Sequence, residues 1–162
     1  MENNQHQSRA DLFSKRSGTL ISTEFADIGM IGGRIKIMLA RFRDLITNQE
    51  ERAIRFEYDY YSEYADYPDT KIGTLDKDEL EGLLKSLKII VNNIFLTLPA
   101  NYMEVNFTSR SGLKAGCFYE NKWNFYVKLS EYDSNSFVFL DKECANDLLK
   151  LLTNSQDKLI SN

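Results

Sequence analysis

This sequence is poor in the residues that most often carry chemistry. It has one histidine, two cysteines, two prolines and one tryptophan among 162 residues. The lone histidine, His6, leaves no second imidazole for a zinc site and no base beside a nucleophile. Cys117 and Cys144 lack metal-ligand spacing, and we expect buried thiols rather than a disulfide. We therefore predict no catalytic residue, no metal site, no cofactor and no enzyme activity.

Long apolar runs are also missing. The longest, from Ile89 to Leu98, is interrupted by Asn92 and Asn93 and is too short to span a bilayer. The N-terminal segment has no apolar core of the kind found in secretory signals. From the sequence we expect a soluble cytoplasmic protein without a membrane partner.

The charges are unevenly distributed along the chain. The formal net charge of −4 argues weakly against a nucleic-acid partner. Residues 34–55 nevertheless contain six basic and three acidic side chains, whereas residues 57–81 contain nine acidic and two basic ones. The folded protein should therefore carry separate positive and negative surface regions.

The most informative feature is an internal repeat. Leu75–Leu87 and Leu140–Leu152 share seven identical residues over thirteen positions. Each copy follows β-rich sequence and begins an amphipathic helix, and in the first copy Asp76 and Glu79 have the spacing of a capping box. Buried leucine stripes, including Leu84 and Leu149, are expected on both helices. Internal repetition of this kind governs the prediction of the fold.

Each half of the chain reads as four strands followed by a helix. We predict an α+β fold of two tandem ββββα units, in which each antiparallel sheet is packed by one helix. The first unit spans residues 18–98 and the second spans residues 99–162, in one pseudo-symmetric domain. Residues 1–17 are polar, and we predict that they form a flexible tail. Deleting residues 1–16 should leave the melting temperature essentially unchanged.

This order of elements resembles the plan of the Whirly family and of PUR repeats. The resemblance covers nearly the whole chain after the tail and lies in the element order, without a shared motif. Both families bind single-stranded nucleic acid through their sheets. The resemblance therefore implies single-stranded DNA or RNA as a partner of this chain.

One predicted hairpin of the second unit interleaves basic side chains with rings. Single-strand binding needs lysines or arginines for the phosphates and rings for base stacking, each stack contributing about 1–3 kcal/mol. The same alternation also arises where a sheet face is solvated or covered by a partner protein. The candidate nucleic-acid-binding residues are Arg110, Lys114, Phe118, Tyr126 and Lys128.

The register of this hairpin decides whether those side chains share a face. If the loop at 120–122 has three residues, Lys114 lies opposite Lys128, and both share a face with Phe118. A two-residue loop would move Lys114 and Phe118 to the face of Trp123, because a one-residue slip reverses every side chain. Both registers are compatible with the sequence.

A second unusual segment contains five tyrosines and three acidic residues within positions 58–67. It suits a contact loop for a basic partner or a sugar, or alternatively a strand end whose rings pack on neighbouring strands. Taken together, these features predict a non-catalytic binding module that binds single-stranded nucleic acid on an exposed sheet face. The alternative is a module for protein–protein interaction or self-association with no nucleic-acid role.

Overall fold

The computed structural model describes residues 7–160 and contains two four-stranded antiparallel sheets. Each sheet has its strands in chain order and is followed by a helix, which confirms the α+β fold of two ββββα repeats. The first unit comprises β1 (Ile21–Ile31), β2 (Ile35–Asp44), β3 (Glu50–Tyr60), β4 (Asp69–Asp76) and α2 (Leu80–Asn92), preceded by α1 (Arg9–Ser14). The second comprises β5 (Met103–Thr108), β6 (Lys114–Glu120), β7 (Lys122–Lys128), β8 (Phe137–Leu140) and α3 (Lys142–Ile160).

The duplicated motif begins both long helices as its pattern indicates. The Asp76 backbone N–H donates to the Glu79 carboxylate at 3.2 Å, and Asp141 accepts from the Cys144 backbone N–H at 3.0 Å. The stripe on α2 is buried, whereas Leu149 of α3 is only partly buried against the core. No helix within residues 7–160 has the length and apolar character needed to cross a membrane.

Both units contribute to one hydrophobic core, and the β-turn of each unit packs on the other unit. A Cβ added at Gly32 in the β1–β2 turn would lie 2.7 Å from the Leu140 side chain. In the β5–β6 turn, the Ser111 hydroxyl donates to the Thr74 carbonyl oxygen at 2.6 Å. These reciprocal contacts fix the two sheets relative to each other.

The prediction of a flexible tail is wrong for residues 9–14, which form α1 on the outer face of the first sheet. Ala10 and Phe13 pack there against Ala40, Phe42 and Ala53. The helix begins at Ser8, whose hydroxyl accepts from the Asp11 N–H at 2.9 Å. Long-range packing stabilises a helix too short to be stable alone. His6 lies outside the described residues.

Candidate nucleic-acid interface

The hairpin of β6 and β7 adopts the register expected for the three-residue loop. Lys114 pairs with Lys128, and Phe118 pairs with Asn124. Tyr126 lies on the same side, which faces away from the core. The helices pack against the opposite side, so we call this surface the outer face of the second sheet.

Strand pairing arranges this outer face in three rows that run across the strands, followed at the hairpin turn by a short fourth row in which Glu120 pairs with Lys122. The lysine row is Thr108, Lys114, Lys128 and Phe137. The middle row is Asn106, Gly116, Tyr126 and Phe139. The glutamate row is Glu104, Phe118 and Asn124.

Five rings on this face form one continuous cluster. Tyr126 stacks on Phe137 with ring centroids 4.6 Å apart, and Phe137 contacts Phe139 at 4.5 Å. Phe118 lies 6.3 Å from both Tyr126 and Tyr102 and 6.1 Å from Phe139. The cluster joins all three rows and gives the face an apolar centre.

The rings differ in how open they are to a ligand. Tyr126 is only 8% exposed, since neighbouring rings cover it, so the prediction that it stacks on bases does not fit its position. Burial also raises the pKa of its hydroxyl. Phe139 and Tyr102, at 57% and 59% exposure, are the open rings, and sequence reasoning missed both. Only the pairing of β8 with β7 brings Phe139 onto this face.

The two lysines differ in their surroundings. Lys114 makes no hydrogen bond or ion pair with residues 7–160. Lys128 donates from Nζ to the Glu131 carbonyl oxygen at 2.7 Å. The pKa of Asp133 is lowered mainly by its hydrogen bond from Lys71 and also by the charge of Lys128, so this lysine has an acidic neighbour. Like charges directly opposite each other destabilise a strand pair. This row therefore favours an anionic group.

The carboxylate of Glu104 lies at the other end of the face. It accepts a hydrogen bond from the Tyr102 hydroxyl at 2.7 Å, which raises the pKa of Tyr102 to about 12. The hydroxyl therefore stays protonated at neutral pH, and the bond holds the Tyr102 ring beside Phe118. The outer face thus has a positive end and a negative end.

Arg110 is not part of this face. Its guanidinium binds the Asp76 carboxylate at 2.6 Å and the Asp78 carboxylate at 2.8 Å, and its backbone N–H donates to Glu79 at 2.7 Å. The bond to Asp78 is the main reason that the pKa of Arg110 lies above its ordinary value. Its role is to join the second unit to the start of α2. The phosphate contact expected of it does not fit this arrangement.

The tyrosine-rich segment divides at the end of β3. Tyr58 lies in the strand and packs, partly buried, against the core, whereas Tyr61, Tyr64 and Tyr67 are strongly exposed. Elsewhere, a cavity of about 590 Å³ is lined mainly by charged residues of both signs, including Arg9, Glu51 and Lys77, and has no cysteine or histidine in its lining. In the part of the chain that the structure describes, no group of metal-ligating side chains could hold an ion.

Comparisons with protein-family models, curated proteins and solved structures found no match to this chain. The resemblance to Whirly and PUR proteins stays a prediction from the order of the elements.

Proposed function

We propose that this protein is a non-catalytic binding module that binds single-stranded DNA or RNA on the outer face of the second sheet. The observation that carries the proposal is a five-ring cluster beside two lysines that lie opposite each other, of which Lys114 forms no ion pair within residues 7–160. A four-stranded sheet with rings on its open face can stack two or three bases while basic side chains hold the phosphates.

The first sheet provides an internal reference for these positions. Ile54 pairs with Leu75 as Phe125 pairs with Leu140, so the repeat equates Glu57 with Lys128. In the same register, Lys36 lies opposite Glu57 as Lys114 lies opposite Lys128.

The corresponding face of the first sheet is electrostatically satisfied. Lys36 forms an ion pair with Asp27 at 3.3 Å, and Arg55 forms one with Glu57 at 2.7 Å. At the equivalent positions the second sheet has two lysines, and the rings of Tyr126 and Phe139 stand at the positions of Arg55 and Thr74. This difference supports a role in binding an anionic ligand whose bases stack on rings.

The open rings and the lysines then have separate tasks. Phe139 and Tyr102 stack on bases, with Phe118 between them, and Lys114 and Lys128 contact phosphates. Stacking makes the affinity tolerant of sequence, whereas phosphate contacts make it depend on salt, with a slope of about −0.7 per phosphate neutralised on a single strand.

The test is fluorescence anisotropy with labelled single-stranded DNA and RNA oligomers at two salt concentrations. Phe139→Ala should weaken binding by roughly 5- to 150-fold at both salts, as expected for loss of one stack. Lys114→Ala should weaken it and reduce the salt slope by about 0.7. The matched controls are Thr74→Ala and Lys36→Ala, which occupy the same register positions in the first sheet and should leave the affinity unchanged.

A second candidate function is a surface for a protein partner. It is favoured by the small number of positive charges, because the rings outnumber the two lysines and Glu104 adds a negative charge. Wild-type protein that binds neither DNA nor RNA at low salt, where electrostatic attraction is strongest, would exclude the nucleic-acid function and leave this candidate.

A further inference from the structure

The outer face of the second sheet has complementary charges at its two ends. The lysine row and the glutamate row are separated by four residues along each strand, which corresponds to about 13 Å at roughly 3.3 Å per residue. Between them lies the middle row with Tyr126 and Phe139. A surface with a positive end, an apolar centre and a negative end is complementary to a second copy of itself.

We propose that two copies of this chain associate face to face through this surface. The two-fold axis would lie in the interface and run perpendicular to the strands. This axis reverses the order of the rows and keeps the order of the strands. It therefore brings the lysine row of each copy over the glutamate row of the other, and the middle row over itself.

The charges select this axis over the other simple choice. A two-fold axis parallel to the strands would place each row over its own copy, so that Lys114 and Lys128 would face each other across the interface. With the perpendicular axis, Lys114 of one copy lies next to Glu104 of the second copy, and the symmetry repeats the pair. Isologous contacts of this kind are the commonest in soluble dimers.

The apolar centre supplies the attraction. Phe139 and Tyr102 are more than half exposed and would be covered, and facing sheets interdigitate side chains at a spacing of about 10 Å. One four-stranded face is small beside the roughly 800 Å² per partner of a stable interface, so the dimer should be weak and should form only at high concentration.

This inference does not depend on the proposed function, but the two share a surface. A dimer would cover the rings that we propose to stack on bases. Nucleic acid and the second copy would therefore compete, and the apparent affinity for an oligonucleotide would fall as protein concentration rises.

Sedimentation equilibrium of the full chain tests the proposal through charge reversal. Wild-type protein should be monomeric when dilute and dimeric when concentrated. Glu104→Lys should be monomeric, since both ends of its face are positive, and Lys114→Glu with Lys128→Glu should be monomeric, since both ends are negative. An equal mixture of these two variants should recover a dimer, because unlike faces now meet.

The controls separate folding from association. Trp123 is buried on the opposite side of the sheet, and its indole N–H donates to the Thr97 carbonyl oxygen, so its fluorescence reports on the core. Folded variants of the outer face should therefore keep the wild-type emission. Glu104→Gln removes only the charge and should also weaken the dimer. It replaces the reversal variant in the test if Glu104→Lys does not fold. Lys36→Glu on the first sheet should leave the dimer intact.

Three results would overturn the proposal. One is a wild-type protein that stays monomeric at all concentrations, and another is a charge-reversed variant that dimerises as the wild type does. The third is a mixture of the two variants that stays monomeric. A monomeric wild type that binds oligonucleotides would overturn the dimer and leave the proposed function standing. A wild-type dimer that neither binds oligonucleotides nor is dissociated by them would overturn the proposed function and leave the dimer standing.

Discussion

The two sheets share a topology, yet their outer faces are built differently. On the first sheet, Ala40 and Ala53 are small and lie side by side, and they leave room for Phe13 of α1. At the same register positions the second sheet has Phe118 and Asn124. The first face carries Phe42 and receives Phe13 from α1, whereas the second carries five rings of its own and has no helix over it within residues 7–160.

The side chains of the two outer faces are used in different ways. The side chains of the first face stabilise the fold, because α1 covers one part of this face and ion pairs neutralise charges on the other part. The second face has the open rings of Phe139 and Tyr102, and it has Lys114, which forms no ion pair within residues 7–160. Residues that burial does not explain are the best indicators of a binding surface.

The largest effect should come from the duplicated aspartates. Asp76 is fully buried, and its carboxylate accepts from the backbone N–H groups of Arg9 at 2.8 Å and Ala10 at 3.1 Å and binds Arg110. Asp76→Ala leaves the two N–H groups without their acceptor and removes one of the carboxylates that bind Arg110, so it should lower the free energy of unfolding by about 3–5 kcal/mol. Asp141→Ala removes only a helix cap and should cost about 1 kcal/mol. Urea denaturation measures both, and equal losses would contradict the division of roles.

The next effect concerns the rings on the two outer faces. Phe13 is nearly buried between α1 and the first sheet, so Phe13→Ala should destabilise the protein by about 2–4 kcal/mol. Phe139 is exposed, so Phe139→Ala should cost less than about 1 kcal/mol and act on binding instead. Thermal unfolding compares them. A Phe13→Ala variant as stable as wild type would show that α1 is not a structural cover, as the sequence alone had suggested.

Acid should weaken the first unit through Asp44. Its buried carboxylate accepts from the Thr19 hydroxyl at 2.6 Å and from the Thr47 N–H at 3.1 Å, and these bonds hold its pKa well below the ordinary value. A folded-state pKa below the unfolded value of about 3.9 gives stability that is complete above that pH and is lost as the pH falls below it. Asp44→Asn should be less stable than wild type at neutral pH, and the difference should shrink in acid. Urea midpoints between about pH 6 and pH 2 give the comparison, and a constant difference would exclude Asp44 as the cause.

Local pattern was sufficient for the repeated units, because helix caps and leucine stripes act within one element. It also limited the β6–β7 hairpin to two registers. It was not sufficient for α1, whose short sequence is stabilised by Asp76, 66 or more residues away. The ion pairs of Arg110 could not be predicted for the same reason, since its partners lie more than 30 residues earlier in the chain.

The cover on Tyr126 could not be predicted from one strand. It depends on Phe137 and Phe118, which belong to the strands on either side. Alternation along β7 identifies which side Tyr126 occupies, but exposure also depends on the residues that the neighbouring strands place beside it. The sequence therefore identified the face that carries the rings, but with an incomplete set of them.

The smallest change in stability is expected where a substitution gives the second sheet a charge pair like that of the first. Lys114→Glu places an acidic residue opposite Lys128 and so gives the second sheet the opposite-charge pair that Lys36 and Glu57 form across the first. Opposite charges on neighbouring strands stabilise by about 0.2–1 kcal/mol where like charges destabilise, so the melting temperature should rise by roughly 1–4 °C. The same variant should lose affinity for single strands, because a phosphate would now meet a carboxylate. Differential scanning calorimetry and anisotropy on one preparation measure both. A variant that is more stable and binds nucleic acid as tightly as wild type would show that the lysine row contacts no phosphate. The affinity would then come from the rings alone.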